Sequence, residues 1–196
     1  MSSIYIHIPK TAGTSVAFAM GVGRNHYTYR DLKDDGRLVG NYVFTCVRNP
    51  YDRAVSCYYY IKHIVQLAKS EGRSFPHFID DAVDVSDFWA NYTSGNRFEM
   101  LFNNVIYLKP QYKWLENDYS GYVSNRIDFI MRYENLAADW SHIQDLFGYQ
   151  DLGKENESVL RAGQNWGDVL SHDAKLRISS LYAQDFARFG YSDAEV

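Results

Sequence analysis

The chain has 196 residues, with 20 Lys+Arg against 24 Asp+Glu, a formal charge of −4 and a pI near 5.8. That length fits one domain with a sizeable core, and 46% hydrophobic with 22% charged residues is an ordinary globular composition. The mild acidity argues against a general nucleic-acid or anionic-membrane binder, and no apolar run approaches the ~18 residues of a membrane span. Two cysteines, Cys46 and Cys57, cannot build a disulfide framework. Without a secretion signal they read as reduced thiols, so the expected compartment is the cytoplasm.

In chain order, Ile4-Tyr5-Ile6-His7-Ile8 is short, β-branched and aromatic, as a buried strand should be. Residues 9–13 punctuate it, and residues 14–20 begin a helix. Residues 21–40 read as a polar, Gly-containing connection. Tyr42-Val43-Phe44-Thr45-Cys46-Val47 is the second strand. Arg48-Asn49-Pro50 stops it and starts a helix, Asn49 as N-cap and Pro50 at the first helical position, running to about residue 69. In the middle of the chain, residues 86–89 and 110–115 suggest short helices and Val105-Ile106-Tyr107-Leu108 a strand. Ile127-Asp128-Phe129-Ile130-Met131 is the third clear strand, residues 134–147 form an amphipathic helix, and residues 173–189 a final one. Strands alternating with helices imply parallel pairing and an α/β sheet covered on both faces, in a single domain spanning residues 1–196. Ligands of such sheets collect at the carboxyl ends of the strands.

Two motifs lie there. In His7-Ile8-Pro9-Lys10-Thr11-Ala12-Gly13-Thr14-Ser15, small residues let the backbone curl around an anion and the helix start directs N–H groups at it. Lys10 adds a mobile charge, and Thr11, Thr14 and Ser15 add hydroxyls. A Walker A loop would place its lysine after the second glycine, whereas Lys10 precedes Gly13, so the anion is of a different kind. In Val47-Arg48-Asn49-Pro50-Tyr51-Asp52-Arg53-Ala54-Val55-Ser56, Arg48 leaves the second strand and Ser56 lies about two turns into the next helix. Together they suit a phosphate, through a charge-assisted contact and a hydroxyl bond. Arg53 either reaches an anion or pairs with a carboxylate at the surface.

Two anion loops at adjacent strand ends suggest one ligand with two separated anionic groups. The pair resembles the sulfotransferases that use 3′-phosphoadenosine 5′-phosphosulfate, most closely the branch of heparan-sulfate 2-O-sulfotransferases and bacterial carbohydrate-type sulfotransferases. The resemblance implies a P-loop-NTPase-like three-layer α/β fold, a central parallel sheet flanked by helices. By position it assigns Lys10, Thr11, Ala12, Gly13, Thr14 and Ser15 to the 5′-phosphosulfate, and Arg48 and Ser56 to the 3′-phosphate. Arg132-Tyr133-Glu134-Asn135-Leu136 and the closing segment from Tyr182 to Tyr191 also resemble the family. His26-Tyr27-Thr28-Tyr29-Arg30-Asp31-Leu32 resembles the segment that carries its catalytic histidine. His26 is therefore the expected general base. His7, on a strand, is the second candidate and reads better as a packed supporting residue.

Lys10 would neutralise the leaving phosphate. Arg161, in a polar stretch before the last helix, either closes over the nucleotide phosphate or is a solvated loop arginine. Glu134 reads as a helix-start carboxylate paired with Arg132, and Asp34-Asp35 and Asp80-Asp81 as helix-end or solvated pairs, so no metal is expected. Trp166 is the least core-like of the four tryptophans and a candidate stacking surface. The expected acceptor is a small molecule or carbohydrate hydroxyl, with no nucleic acid and no membrane insertion. Two rival functions remain at this stage, a P-loop-type kinase of a small metabolite and a non-catalytic nucleotide-binding module.

Overall fold

The computed structural model describes residues 2–73, 79–93, 95, 98, 102, 105–118, 123–153 and 163–193. The chain divides into two compact units, Met1–Asn49 with Pro110–Asn156, and Pro50–Lys109 with Glu157–Val196.

The first unit holds a three-stranded parallel sheet in the order β1 (Ser3–Ile6), β2 (Tyr42–Val47), β3 (Phe129–Arg132). Ser3 faces Tyr42 and Ile6 faces Thr45, while Phe44 faces Phe129 and Val47 faces Arg132. β2 is the central strand and every residue from Val43 to Val47 is buried, which is why both parities of YVFTCV are uncharged. Phe44 and Cys46 point into one core with Met131, Val16 and Ala19 from α1 (Gly13–Ala19), and Trp140 and Ile143 from α5 (Leu136–Phe147). Each fully buried large side chain of this kind contributes about 2–3 kcal/mol of transfer free energy. α2 (Tyr29–Asp34) lies inside the stretch read as a plain connection. It is one and a half turns held by its cap, too short for periodicity to announce it.

Both outer strands are shorter than their apolar runs. After Ile6 the Ile8 N–H turns back to the Ile6 carbonyl at 3.2 Å, so His7 and Ile8 stay buried but leave the ladder. At β3 the Asp128 carboxylate accepts from the Val43 N–H at 2.7 Å, and regular pairing starts one residue later. The helix expected over 134–147 begins as a 3₁₀ turn, Tyr133–Asn135, before α5.

The second unit contains α3 (Pro50–Ser70), α4 (Val85–Asn91), α6 (Trp166–Val169), α7 (His172–Leu181) and α8 (Ala183–Phe189). Its core joins Val55, Tyr58, Ile61 and Val65 of α3 to Phe88 and Trp89, Ala174 and Ile178, and Phe186. Pro50 opens α3 as its fixed φ and missing N–H favour. The expected single helix over 173–189 is two, divided at Tyr182, whose backbone leaves the helical region (φ −112°, ψ 22°). Its buried hydroxyl donates to the Leu108 carbonyl at 2.9 Å.

That carbonyl belongs to the run expected as a strand. Residues 105–109 instead form a turn, with the Leu108 N–H bonded to the Val105 carbonyl at 2.9 Å. Its outward carbonyls are taken by side chains rather than by a neighbouring strand. Arg53 donates through Nη2 to Tyr107 (3.2 Å) and Lys109 (3.0 Å), and the Cys57 thiol donates to Tyr107. Arg53 is 1% exposed, so it is neither a surface ion pair nor an open anion ligand. Both cysteines are free and buried. Replacing Arg53 by Met keeps most of the bulk and removes those donors; urea unfolding should show a loss of about 2–4 kcal/mol, against ±0.5 for an ordinary surface arginine.

Candidate functional site

The carboxyl ends of the three strands bring together the residue 9–13 loop, Arg48 and Tyr133. Lys10 (φ 68°) and Ala12 (φ 66°) both occupy the left-handed region, which costs a non-glycine residue of order 1 kcal/mol or more. Alternating hand along a short loop is the backbone pattern from which anion-binding nests are built. Ala12 is also the N-cap of α1 and supplies no side-chain cap, and the first turn carries no acidic residue. A Ser or Asp at that position would cover the helix start that Ala12 leaves uncapped. The Thr11 hydroxyl donates to the Ile8 carbonyl at 2.9 Å and is fully buried, so its proton shapes the loop from within. Thr14 is half-buried and Ser15 buried. Gly13 answers a close approach: a Cβ there would lie 1.8 Å from His7 Cδ2 and 1.9 Å from His7 Nε2.

Arg48 is 5% exposed. The fully buried Gln111, in a 3₁₀ turn Gln111–Trp114, clamps its main chain: Arg48 N–H donates to Gln111 Oε1 and Gln111 Nε2 donates to the Arg48 carbonyl, both at 2.9 Å. The guanidinium lies 3.8 Å over the Tyr133 ring and donates through Nη1 to the Lys10 carbonyl at 3.2 Å. One arginine thus grips the residue 9–13 loop by its backbone while a cation–π contact fixes its plane. Glu134 Oε1 accepts the Asn49 N–H at 2.6 Å, and the Arg132 N–H donates to Asp139 Oδ2 at 2.6 Å.

His26 stands between α1 and α2, half-buried. Its Nδ1–H donates to the His7 carbonyl at 3.0 Å, which leaves the lone pair on Nε2. Its ring lies 4.2 Å from that of His7 and 5.9 Å from that of Trp114. Two residues on, the Thr28 hydroxyl accepts the Asp31 N–H and the Asp31 carboxylate accepts the Thr28 N–H at 2.8 Å. This capping box accounts for the Thr28 and Asp31 spacing after His26. His7 is buried, and its pKa is lowered to about 3, chiefly by burial and then by the charges of His26, Arg24 and Lys10. It is neutral at pH 7 and too weak a base there.

The sulfotransferase family model matches residues 2–192, nearly the whole chain and both units. The chain belongs to the sulfotransferase family. No curated protein and no solved structure matches it.

In this sulfotransferase Lys10, Thr11, Ala12, Gly13, Thr14, Ser15, His26 and Arg48 all lie in the first unit, and Lys10 is half-exposed. Ser56 lies in the second unit, buried within α3. Arg161 lies outside the described residues. Trp166 opens α6 and stacks on Tyr51 (4.9 Å, 20°), with the Lys175 ammonium 5.5 Å from its ring centre, so it is a packed residue of the second unit. Trp89, Trp114 and Trp140 are buried. Asp34 ends α2 and Asp35 is its C-cap, while Asp80 pairs with Lys69 at 2.7 Å. Among the described residues no three His, Cys, Asp or Glu side chains gather as a metal site would need, and no helix is long and apolar enough to cross a membrane. Gln111 was not legible as a site residue, since a glutamine after a proline carries no pattern of its own. Tyr133 was visible only inside a motif.

The His7 environment has a measurable consequence. Above about pH 6.5 the ring is neutral in both native and unfolded chains. Between 6.5 and about 3 only the unfolded chain takes the proton, so native stability falls with pH by up to about 1.4 kcal/mol per unit. Urea unfolding from pH 7 to pH 5 should therefore cost the parent about 2 kcal/mol more than a His7→Phe variant.

Proposed function

We propose that this sulfotransferase draws its sulfuryl group from 3′-phosphoadenosine 5′-phosphosulfate and passes it to a hydroxyl, that of a carbohydrate being the expected acceptor. The observation that carries the reading is the bond from buried Arg48 to the carbonyl of Lys10 in a loop with two left-handed residues. It couples two cationic residues at the carboxyl ends of adjacent strands, as a donor with two separated anionic groups requires. The whole chain, residues 1–196, is read as one catalytic domain, because the family match runs through both units.

In this reading the loop from Lys10 to Ser15 receives the 5′-phosphosulfate, and Arg48 the 3′-phosphate. The family resemblance adds Ser56 and Arg161 to the nucleotide's ligands. His26 Nε2 takes the acceptor hydroxyl proton, held in the productive tautomer by the Nδ1–H bond to the His7 carbonyl. As the acceptor oxygen bonds to sulfur, the bond from sulfur to the bridging oxygen breaks and its electron pair leaves with the phosphate. Lys10 stabilises the charge that grows there. The products are a sulfate ester, adenosine 3′,5′-bisphosphate and a proton on His26 that returns to solvent. The family match favours sulfuryl over phosphoryl transfer, which sets the kinase reading aside.

Calorimetry should show adenosine 3′,5′-bisphosphate binding at least tenfold more tightly than 5′-AMP, and Arg48→Ala should abolish most of that preference, since a charged hydrogen bond contributes about 1.5–3 kcal/mol. Equal affinities in the parent would overturn the donor assignment. With labelled donor and a panel of saccharide acceptors, Lys10→Ala should lose about 10²–10³ in kcat and His26→Ala about 10²–10⁴, both with unchanged circular dichroism. Full transfer by His26→Ala, or strict ATP and Mg²⁺ dependence, would sink the mechanism.

A further inference from the structure

His7 is placed where an apolar residue would suffice. It follows β1 directly and is 7% exposed, and its Nδ1 is buried with no hydrogen-bond partner among the described residues. A buried, unpartnered imidazole nitrogen is a cost without a structural return. Four contacts converge on this residue. The Cδ2–Nε2 edge lies against Gly13 so closely that no side chain could stand there. One ring face meets His26 at 4.2 Å between centroids, while Tyr5 stacks at 5.8 Å and 27°. The main-chain carbonyl receives His26 Nδ1–H at 3.0 Å.

We propose that His7 is a positioning residue that couples the phosphosulfate loop to the base, its ring wedged between Gly13 and His26 while its carbonyl sets the His26 tautomer. This rests on the reading of His26 and the Lys10 loop given above. A flat, rigid ring bearing on the Cα of Gly13 and on the His26 imidazole transmits the position of one to the other. A displacement of about 1 Å in such a constellation is enough to cost a hundredfold in rate. The charged groups around the ring are His26, Arg24 and Lys10, all basic, and with burial they hold it uncharged. When His26 takes a proton, the ring against it therefore adds no second charge.

Two measurements test this. Imidazole ¹⁵N NMR of the parent should show neutral His26 as the Nδ1–H tautomer, and an Nε2–H tautomer overturns the carbonyl tie. Two variants of similar volume then separate ring from bulk: His7→Phe keeps a stacking ring and His7→Leu does not. His7→Leu should lower kcat about tenfold or more, weaken adenosine 3′,5′-bisphosphate binding several-fold and mix the His26 tautomers. His7→Phe should stay within about threefold of the parent in all three. Parent-like behaviour of His7→Leu overturns the coupling. A His7→Phe variant as impaired as His7→Leu also overturns it, since the ring nitrogen would then touch ligand itself. If the parent neither binds the bisphosphate nor transfers sulfate, the functional reading fails, yet the tautomer measurements still decide the tie between His7 and His26.

Discussion

The clamp of Gln111 on the main chain of Arg48 is the constraint on which the site depends. An arginine at a strand end has both a backbone that must find partners beyond the ladder and a long side chain with many rotamers. Gln111 satisfies the N–H and the carbonyl at once, in the manner of one more rung of sheet. With the backbone held, the Tyr133 ring fixes the guanidinium plane and the Nη1–Lys10 bond fixes its reach. The loop is then tied to β2 at the residue where it takes a left-handed turn. A non-glycine residue held at positive φ persists only where its surroundings over-determine it, and the Arg48 bond is one such determinant.

A second set of constraints runs through His7. Its ring makes Gly13 obligatory, its carbonyl orients His26, and its burial keeps it neutral beside three basic groups. The residue 9–13 loop and His26 are therefore both tied to one strand end, although 19 residues separate His7 from His26. Arg53 stands in contrast. It belongs to the same sequence motif as Arg48, yet it serves the turn over residues 105–109 and has no open face for an anion. Charge at a given spacing does not say what an arginine serves: Arg53 spends its Nη2 on two carbonyls of one turn, whereas Arg48 ties the residue 9–13 loop and lies over Tyr133.

Legibility followed the range of the interactions. β2 matched its predicted bounds and α3 came within a residue of them, since a continuous apolar run and an Asn-Pro start are local signals. The outer strands ended early because Ile8 turned back on Ile6 and the Asp128 carboxylate took a ladder bond, events that depend on a neighbour. Val105 to Leu108 has the composition of a strand, but Arg53, Cys57 and Tyr182 captured the carbonyls a strand would share. The same tyrosine divides the last helix, which its sequence periodicity would have left whole.

By itself the sequence determined the parallel α/β architecture of the strands and membership of the sulfotransferase family, because these rest on residue type at fixed short spacing. Only the tertiary structure decided that Arg48 is clamped by Gln111 and stacked on Tyr133, that His7 is buried against Gly13 and His26, and that Arg53 serves the backbone. Each of those outcomes is a matter of burial and of partners distant in sequence. Desolvation and hydrogen-bond competition, which settle them, exist only once the chain has folded.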